Sequence, residues 1–402
     1  MSAPATGRSP YAIVIGLDSL QGLQAARILS DRRVSVIGFA NDPKHYGCRT
    51  NVCEQIHYAE DSILLLRKLT DVGLQLAEKA VLVPCTDKYV RFVSRHRADL
   101  QAFYHVVLPP SEIVDVLMNK VAFYTFAQQE GLPIPETFFL YRRDDVDHAA
   151  KKITFPCILK PNSRTGAWLK HTKKKALKAS NPEELIALYD HYAGWSDALV
   201  AQAWVPGPDT NLYSCNCYFD VASEPLVTFV ARKLRQWPPE TGTSCSGEEC
   251  RNDLVLQETI SMFKKLEYHG LAYLEMKRDE RSGEYYIIEP NVGRPTGRSA
   301  IAEAGGVELL YTMYCDAVGW PLPDNRKQSY RGVKWVHLLR DIQSALYYWR
   351  RGDLTIKGWW ASLAGRRVEA LFSWRDPGPF LCALKNALPV YLSRRERGKA
   401  DY

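Results

Sequence analysis

The sequence has no apolar run near the ~18 residues a membrane span requires. None of its ten cysteines forms a Cys-x-x-Cys pair, so neither a thioredoxin-like redox pair nor a tightly spaced zinc site is indicated. Gly-x-Ser-x-Gly, a P-loop and His-Glu-x-x-His are all missing, which argues against the hydrolases, nucleotidases and metalloproteases built on those motifs. The first turn, Gly16-Leu-Asp-Ser-Leu-Gln-Gly22, lacks the G-x-G-x-x-G spacing that brings backbone close to a pyrophosphate, so an NAD-dependent dehydrogenase is disfavoured. There is no internal repeat and no low-complexity tract. The start carries one Arg and then an apolar stretch that soon meets Gly16 and Asp18. That is too short and too soon polar for a signal peptide, so the expected location is the cytosol. Reduced, mostly buried thiols fit that compartment.

What is present is ordinary globular composition, 46% hydrophobic and 24% charged over 402 residues, enough for two or three cored domains. The charge is uneven. Residues 326–402 hold 16 Lys/Arg and 6 Asp/Glu, a balance of +10, against +7 for the whole chain. The body therefore needs no polyanionic partner, and nucleic-acid binding is not expected. Residues 11–110 alternate strand-like runs (YAIVIG, VSVIGFA, AVLVPCTD, YHVVLP) with amphipathic stretches, the rhythm of a parallel sheet with helices on its faces. Ligands in such sheets collect at the carboxyl ends of strands, here Gly16 to Ser19, Asn41 to Pro43 and Thr86–Asp87. Residues 111–130 read as one helix ended by Gly131. A strand (FPCILK), a basic loop (163–175), a helix (PEELIALYDHYAG), a strand (ALVAQAWV), two paired strands bearing Cys215 and Cys217 on one face, a Gly/Ser loop (237–249) and a helix (254–266) follow. The basic loop, with Arg164, Gly166, Lys170 and Lys173 to Lys175, is expected to be mobile and to close on an anion.

The sharpest chemical signal is the hairpin LAYLEMKRDERSGEYYIIEPN. With its turn centred on Ser282, Glu275 faces Glu289, and Asn291 shares their face. Facing carboxylates repel. A hard divalent cation with oxygen ligands removes that penalty, whereas a one-residue slip would separate the pair altogether. Lys160 closes an apolar strand before Pro161, where a buried ammonium needs an anion such as phosphate. Lys120 lies in the preceding helix. Gln202-Ala-Trp-Val205 ends a strand before Pro206-Gly207, an edge whose free backbone beside an aromatic suits an adenine.

Taken in order, these residues resemble the ATP-grasp superfamily over about residues 11–320. They run as Lys120, Lys160-Pro161, a flexible loop, Gln202-Ala-Trp-Val-Pro-Gly207, Glu275 and Glu289-Pro-Asn291. Within it, VARKLRQWPP, YHGLAYLEMKRD and IIEPNVGRPTGRSAIAEAGGVELLY are similar to bacterial carboxylate–amine ligases around D-aspartate ligase, some associated with exopolysaccharide genes. The resemblance implies an α/β (α+β) fold: a Rossmann-like pre-ATP-grasp domain (1–115), an ATP-grasp domain (116–325, with subdomains 116–205 and 206–325) and a basic, aromatic-rich C-terminal extension (326–402). It further implies ATP held by Lys120, Lys160, Gln202, Trp204, Val205 and Asp209, and Mg²⁺, with Mn²⁺ as a substitute, held by Glu275, Glu289 and Asn291. Arg294 would act on the carboxylate or acyl phosphate, with Arg232, Lys233 and Arg235 lining the γ-phosphate and substrate side. Two departures bear on Arg294. Many relatives read Glu-x-Asn-x-Arg, one residue shorter than Glu289-Pro-Asn-Val-Gly-Arg294, and some place an Arg where this chain has Tyr273.

The implied reaction joins a small carboxylate to an amine. Transfer of the γ-phosphoryl converts the poor oxide leaving group into a phosphate, stabilised by metal and cations rather than by a protein nucleophile. A nucleotide-binding regulatory protein on the same fold is an alternative that the intact Lys160, Glu275, Glu289 and Asn291 speak against, whereas a kinase- or carboxylase-type relative shares every ATP residue named. The tail holds five of the ten tryptophans, with Arg350, Arg351, Lys357, Arg366, Arg367, Arg394 and Arg395. Two readings of it stand side by side: a peripheral contact with the inner face of a membrane, or packing onto the body or onto a second subunit of a homodimer.

Overall fold

The computed structural model describes residues 9–386 except 164, 165, 173 and 298. The first unit runs β1 (Ala12–Ile15), α1 (Leu20–Asp31), β2 (Val36–Ala40), β3 (Gln55–Tyr58), α2 (Ser62–Gln75), β4 (Ala80–Pro84), α3 (Asp87–Arg95), α4 (Arg97–Leu100) and β5 (Tyr104–Val106). Its strands form a parallel sheet in the order β3-β2-β1-β4-β5. β1, β2 and β4 are buried at every residue, which is why they read as unbroken apolar runs rather than alternating ones. One face packs against α2 and α3. The other packs on α1 and on helices from later in the chain. The order reverses between β1 and β4, so the crevice lies at Gly16–Ser19 and Cys85–Asp87. A Cβ on Gly22 would sit 2.1 Å from the Gly16 carbonyl oxygen, and Gly16 itself has φ +96°. The glycine pair therefore serves the close docking of α1 on β1.

The second unit contains α5 (Ser111–Met118), α6 (Lys120–Gln129), β6 (Thr137–Leu140), α7 (Arg143–Lys152), β7 (Cys157–Pro161), α8 (Gly166–His171), β8 (Leu177–Ala179), α9 (Pro182–Tyr192) and β9 (Leu199–Ala203). Its antiparallel sheet is ordered β6-β9-β7-β8. Three expectations change here. The helix of residues 111–130 is two helices, broken where the Asn119 side chain caps α6 by accepting from the Ala122 N–H, a break that residue type favours. The basic segment 163–175 contains α8, pinned by Trp168, which is fully buried and donates to the Lys174 carbonyl at 3.0 Å; Arg164 and Lys173 lie outside the described residues. β9 is an interior strand, not an edge.

The third unit comprises β10 (Leu212–Phe219), β11 (Pro225–Trp237), β12 (Thr243–Glu249), α10 (Asp253–Lys265), β13 (Gly270–Arg278), β14 (Tyr285–Val292), α11 (Ser299–Ala304), α12 (Leu309–Ala317), β15 (Lys334–Val336), α13 (Leu338–Arg350), α14 (Ile356–Leu363) and β16 (Arg367–Glu369). Its sheet runs β14-β13-β10-β11-β12-β15-β16. The supposed loop 237–249 is largely β12, whose small polar residues hide its strand character but whose backbone pairs on both sides, with β11 and β15. β15 and β16, from beyond residue 325, extend this same sheet. Farther on, buried Asp376 accepts from Arg27 at 2.8 Å and from Thr50 at 2.6 Å, tying the tail back to the first unit. No helix among the described residues is long and apolar enough to cross a membrane.

Candidate functional site

β13 and β14 form the hairpin read from the sequence, and Glu275 pairs with Glu289 and Tyr273 with Asn291. The pairing is reached by an unexpected route. The pairs nearest the turn, Met276 with Ile287 and Lys277 with Tyr286, centre it between Arg281 and Ser282. Continued unbroken, that register would set Ile288 opposite Glu275 and turn Glu289 to the other face. A β-bulge between Glu275 and Met276 takes up the extra residue. The carbonyl of bulged Ile288 accepts from the Tyr124 hydroxyl at 2.6 Å, so α6 holds the bulge in place. Pro290 is tolerated because β14 is an edge strand.

Two facing carboxylates about 5 Å apart repel by roughly 3 kcal/mol at the effective dielectric of a protein surface. The site supplies the compensation. Lys233 Nζ lies 3.1 Å from Glu275 Oε1, and the Tyr273 hydroxyl donates to Oε2 at 3.1 Å. Glu289 remains open to solvent, yet the surrounding protein desolvates it enough to push its pKa up. Lys120, Lys175, Lys160 and Lys233 outweigh that and hold it below the ordinary carboxylate range. Lys160, buried on β7, donates to Gln202 Oε1 at 3.0 Å. Burial pushes its pKa down, opposed by Glu289 and Glu275. Lys120 is the first residue of α6, so the helix N-terminus adds its partial positive charge to the same place.

Gln202 is 1% exposed. Besides Lys160, its side chain engages Thr137 Oγ1 at 3.0 Å. It therefore positions Lys160 and offers no free edge. The next main-chain donors are also taken: Ala203 N–H reaches the Glu136 carbonyl and Trp204 N–H the Pro156 carbonyl. The open backbone expected for an adenine begins one step later, at the Trp204 carbonyl and Val205 N–H, which have no hydrogen-bond partner among the described residues. Lys277 Nζ and Lys178 Nζ lie over the Trp204 ring, 4.6 and 4.8 Å from its centroid, two cations on one π-system. Burial, with Lys233 adding, pushes the Lys277 ammonium down to about 8, against the pull of Asp209. Asp209 is committed on both oxygens. Gln236 Nε2 donates at 2.6 Å to one, and Gln236 N–H at 3.2 Å and the Tyr348 hydroxyl at 2.7 Å reach the other.

Arg294 lies beside Asn291 despite the extra residue in its motif. Gly293 turns with φ +68°, where a Cβ would meet Leu108 at 2.4 Å. The turn brings Arg294 back to donate to Asn291 Oδ1 at 2.6 Å and to Asp87 Oδ1 at 2.5 Å. Burial raises the Asp87 pKa, but Arg294 and then Lys120 hold it low overall. The Arg294 guanidinium thus joins the oxygen cluster to the crevice of the parallel sheet.

The three basic residues of β11 part company. A register shift between Lys233 and Arg235 sends them to opposite faces. Lys233 reaches the acid pair, Arg232 pairs with Glu248 at 2.7 Å, and buried Arg235 grips Asp341 of α13 at 2.7 and 3.0 Å. The expectation that all three line the phosphate side is thus corrected for Arg232 and Arg235. Lys277 is a site residue the sequence reading does not include, and Tyr273 enters it only as a departure from an Arg of some relatives, although both lie two positions from Glu275 and strand alternation puts them on its face. Gln236 and Tyr348 carry no local signal.

Glu275, Glu289 and Asn291 offer only oxygen, the donor type a hard divalent cation takes. No group of three His, Cys, Asp or Glu suited to a metal occurs among the described residues, so a cation here would complete its shell from phosphate and water. The donor set fits Mg²⁺ on those terms.

No protein-family profile matches the chain. Among curated proteins it is 28% identical over 234 residues to a D-aspartate ligase of Enterococcus faecium, covering 56% of this chain and 55% of that protein. It is 25% identical over 194 residues to D-alanine–D-alanine ligase B of Chromobacterium violaceum, covering 46% and 61%. The chain thus spans less than two thirds of the length of either relative. Among solved structures it resembles an ADP complex of N5-carboxyaminoimidazole ribonucleotide synthetase, with TM-score 0.64, 14% identity and 85% of each chain covered. It also resembles an L-amino acid ligase from Bacillus licheniformis, with TM-score 0.61, 16% identity and 82% and 79% covered.

Proposed function

We infer that this chain, which belongs to the ATP-grasp superfamily by fold and by motif order, is an ATP-dependent carboxylate–amine ligase. The observation that carries the reading is the cluster at the hairpin: two facing carboxylates and Asn291, ringed by Lys120, Lys160, Lys175 and Lys233 and bordered by Arg294. So much fixed positive charge around an oxygen set is suited to the phosphates of ATP. When bound, Mg²⁺ would be held by Glu275, Glu289 and Asn291 and would supply charge neutralisation at the phosphate oxygens. Lys160 and Lys120 bind the phosphates, Trp204 and Val205 frame the adenine, and Arg294 orients the acid. Attack of the acid oxygen on the γ-phosphorus forms an acyl phosphate and releases ADP. The amine nitrogen then attacks the acyl carbon, releasing phosphate and a proton.

The two curated relatives are amino-acid ligases by name, so the substrate class we assign is an amino-acid-like carboxylate. Its pocket is the crevice between Asp87, Arg294 and the Gly16–Ser19 turn. Phosphate release from ATP should depend on an added acid and increase with an added amine, with D-aspartate among the first acids screened. ATP turnover indifferent to every acid and amine would refute the ligase reading and leave a nucleotide-binding protein.

A further inference from the structure

Helix α13 is inverted. Its inward face is polar: Asp341 pairs with Arg235 at 2.7 Å, Ser344 donates to the Gln236 carbonyl at 2.9 Å, and Tyr348 donates to Asp209 at 2.7 Å. Its apolar residues Ile342, Leu346 and Trp349, spaced to share one face, lie roughly a third of a turn away and are 37%, 41% and 51% exposed. With α14 they wall a groove of about 330 Å³, closed on the far side by Leu354, Ile356 and Trp359. Ile356 is 60% exposed, and Trp360, its ring tilted 54° to that of Trp359, is 61% exposed. A helix that spends its polar face on the body and leaves its apolar face in water is poorly explained as a free surface.

We propose that this face of α13 and α14 seats the protein on an anionic lipid surface. The argument rests on charge. Arg350, Arg351 and Lys357 border the apolar stripe and are exposed. Arg350 and Lys357 have no ion pair among the described residues, and the one acidic residue from 350 to 360 is Asp353, already paired with Arg351 at 3.0 Å. Exposed tryptophans beside unpaired cations match the headgroup zone, where the rings sit among the glycerol groups and the cations meet phosphate. A second copy of the chain fits less well. A two-fold contact would gather Arg350, Arg351 and Lys357 of both copies around one patch, where like charges oppose association. The proposal is independent of the ligase reading.

The test is flotation of the full chain with vesicles of phosphatidylcholine containing phosphatidylglycerol, and with phosphatidylcholine alone, at low and high salt. Binding is expected to the anionic vesicles at low salt. It should fall at least about fivefold in high salt, in Arg350→Glu/Lys357→Glu and in Leu346→Ser/Trp349→Ser/Ile356→Ser. The substituted residues are exposed and leave the Asp341, Ser344 and Tyr348 contacts intact, so circular dichroism should be unchanged. No flotation at low salt, or flotation unaffected by the apolar variant, overturns the proposal. So does a concentration-dependent dimer in light scattering that the apolar variant abolishes, since a second copy would then cover the stripe.

Discussion

At the scale of single residues, Glu289 is where the chemistry and the electrostatics meet. From the hairpin alone, its removal looks like relief of repulsion with Glu275. The four surrounding lysines reverse that sign. A carboxyl held below its ordinary pKa contributes stability above the unfolded value of 4.5 and loses it as pH falls through the folded value. Glu289→Gln is therefore expected to remain folded, to lose at least about 100-fold in turnover, and to melt below wild type at neutral pH. That melting difference should close as the solution is acidified. Melting curves across pH and turnover at saturating Mg²⁺ check both parts. Normal turnover at limiting Mg²⁺ would remove Glu289 from the site. Arg294 shows how far a motif can stretch: one glycine with positive φ absorbs the additional residue and returns the guanidinium to Asn291.

At the scale of elements, the β-bulge at Ile288 and helix α13 do what residue types alone do not. The bulge chooses which face Glu289 occupies. α13 reaches the proposed nucleotide side through Tyr348 and Asp209, and Lys233 donates to Gln236 Oε1 at 3.4 Å. Under the proposed function Tyr348 is a positioning residue, acting through Asp209. Tyr348→Phe keeps the ring and removes one hydrogen bond, a loss of about 1 kcal/mol. The expected outcome is a KM for ATP raised about fivefold with kcat changed less than about twofold. Steady-state kinetics with ATP varied distinguishes this from a purely structural role, which would lower the active fraction and so kcat alone.

At the scale of the whole molecule, the first and third units share one hydrophobic core, and a few partly buried ionic contacts cross between them. Arg32 of the first unit bonds Glu308 and lies 3.8 Å from Glu303 of α11. Burial pushes the Glu303 carboxyl up to about 7, although the Leu310 N–H and Arg32 pull against it. A carboxyl whose folded pKa is raised supports the fold below its unfolded value of 4.5, and that support is lost as pH rises through about 7. Glu303→Gln should thus raise unfolding free energy by roughly 1–3 kcal/mol at pH 8, the linkage expected of such a shift, and change it little at pH 5. Urea denaturation at the two pH values checks the sign. An equal effect at both would mean that packing, not ionisation, governs the position.

Local regularities made much of this protein legible in its sequence. Unbroken apolar runs announced the parallel sheet because both its faces are covered, and Lys160 stood out because a cation ending a buried strand needs an anion. Strand alternation brought Glu275, Glu289 and Asn291 together on paper, and the order of these residues along the chain carried the superfamily resemblance. Other features depend on contacts between residues far apart, which leave no periodic trace. β12 was missed because its residues are small and polar, and its strand form is decided by partners on both sides. The opposite facing of Lys233 and Arg235 is set by a register shift, and the engagement of Asp209 and Gln202 by neighbours from other elements. The tail divided for the same reason. Trp335 is buried in the joint core while Trp349, Trp360 and Trp374 stay exposed, and the docking of α13 by its polar face is what leaves Trp349 to the solvent.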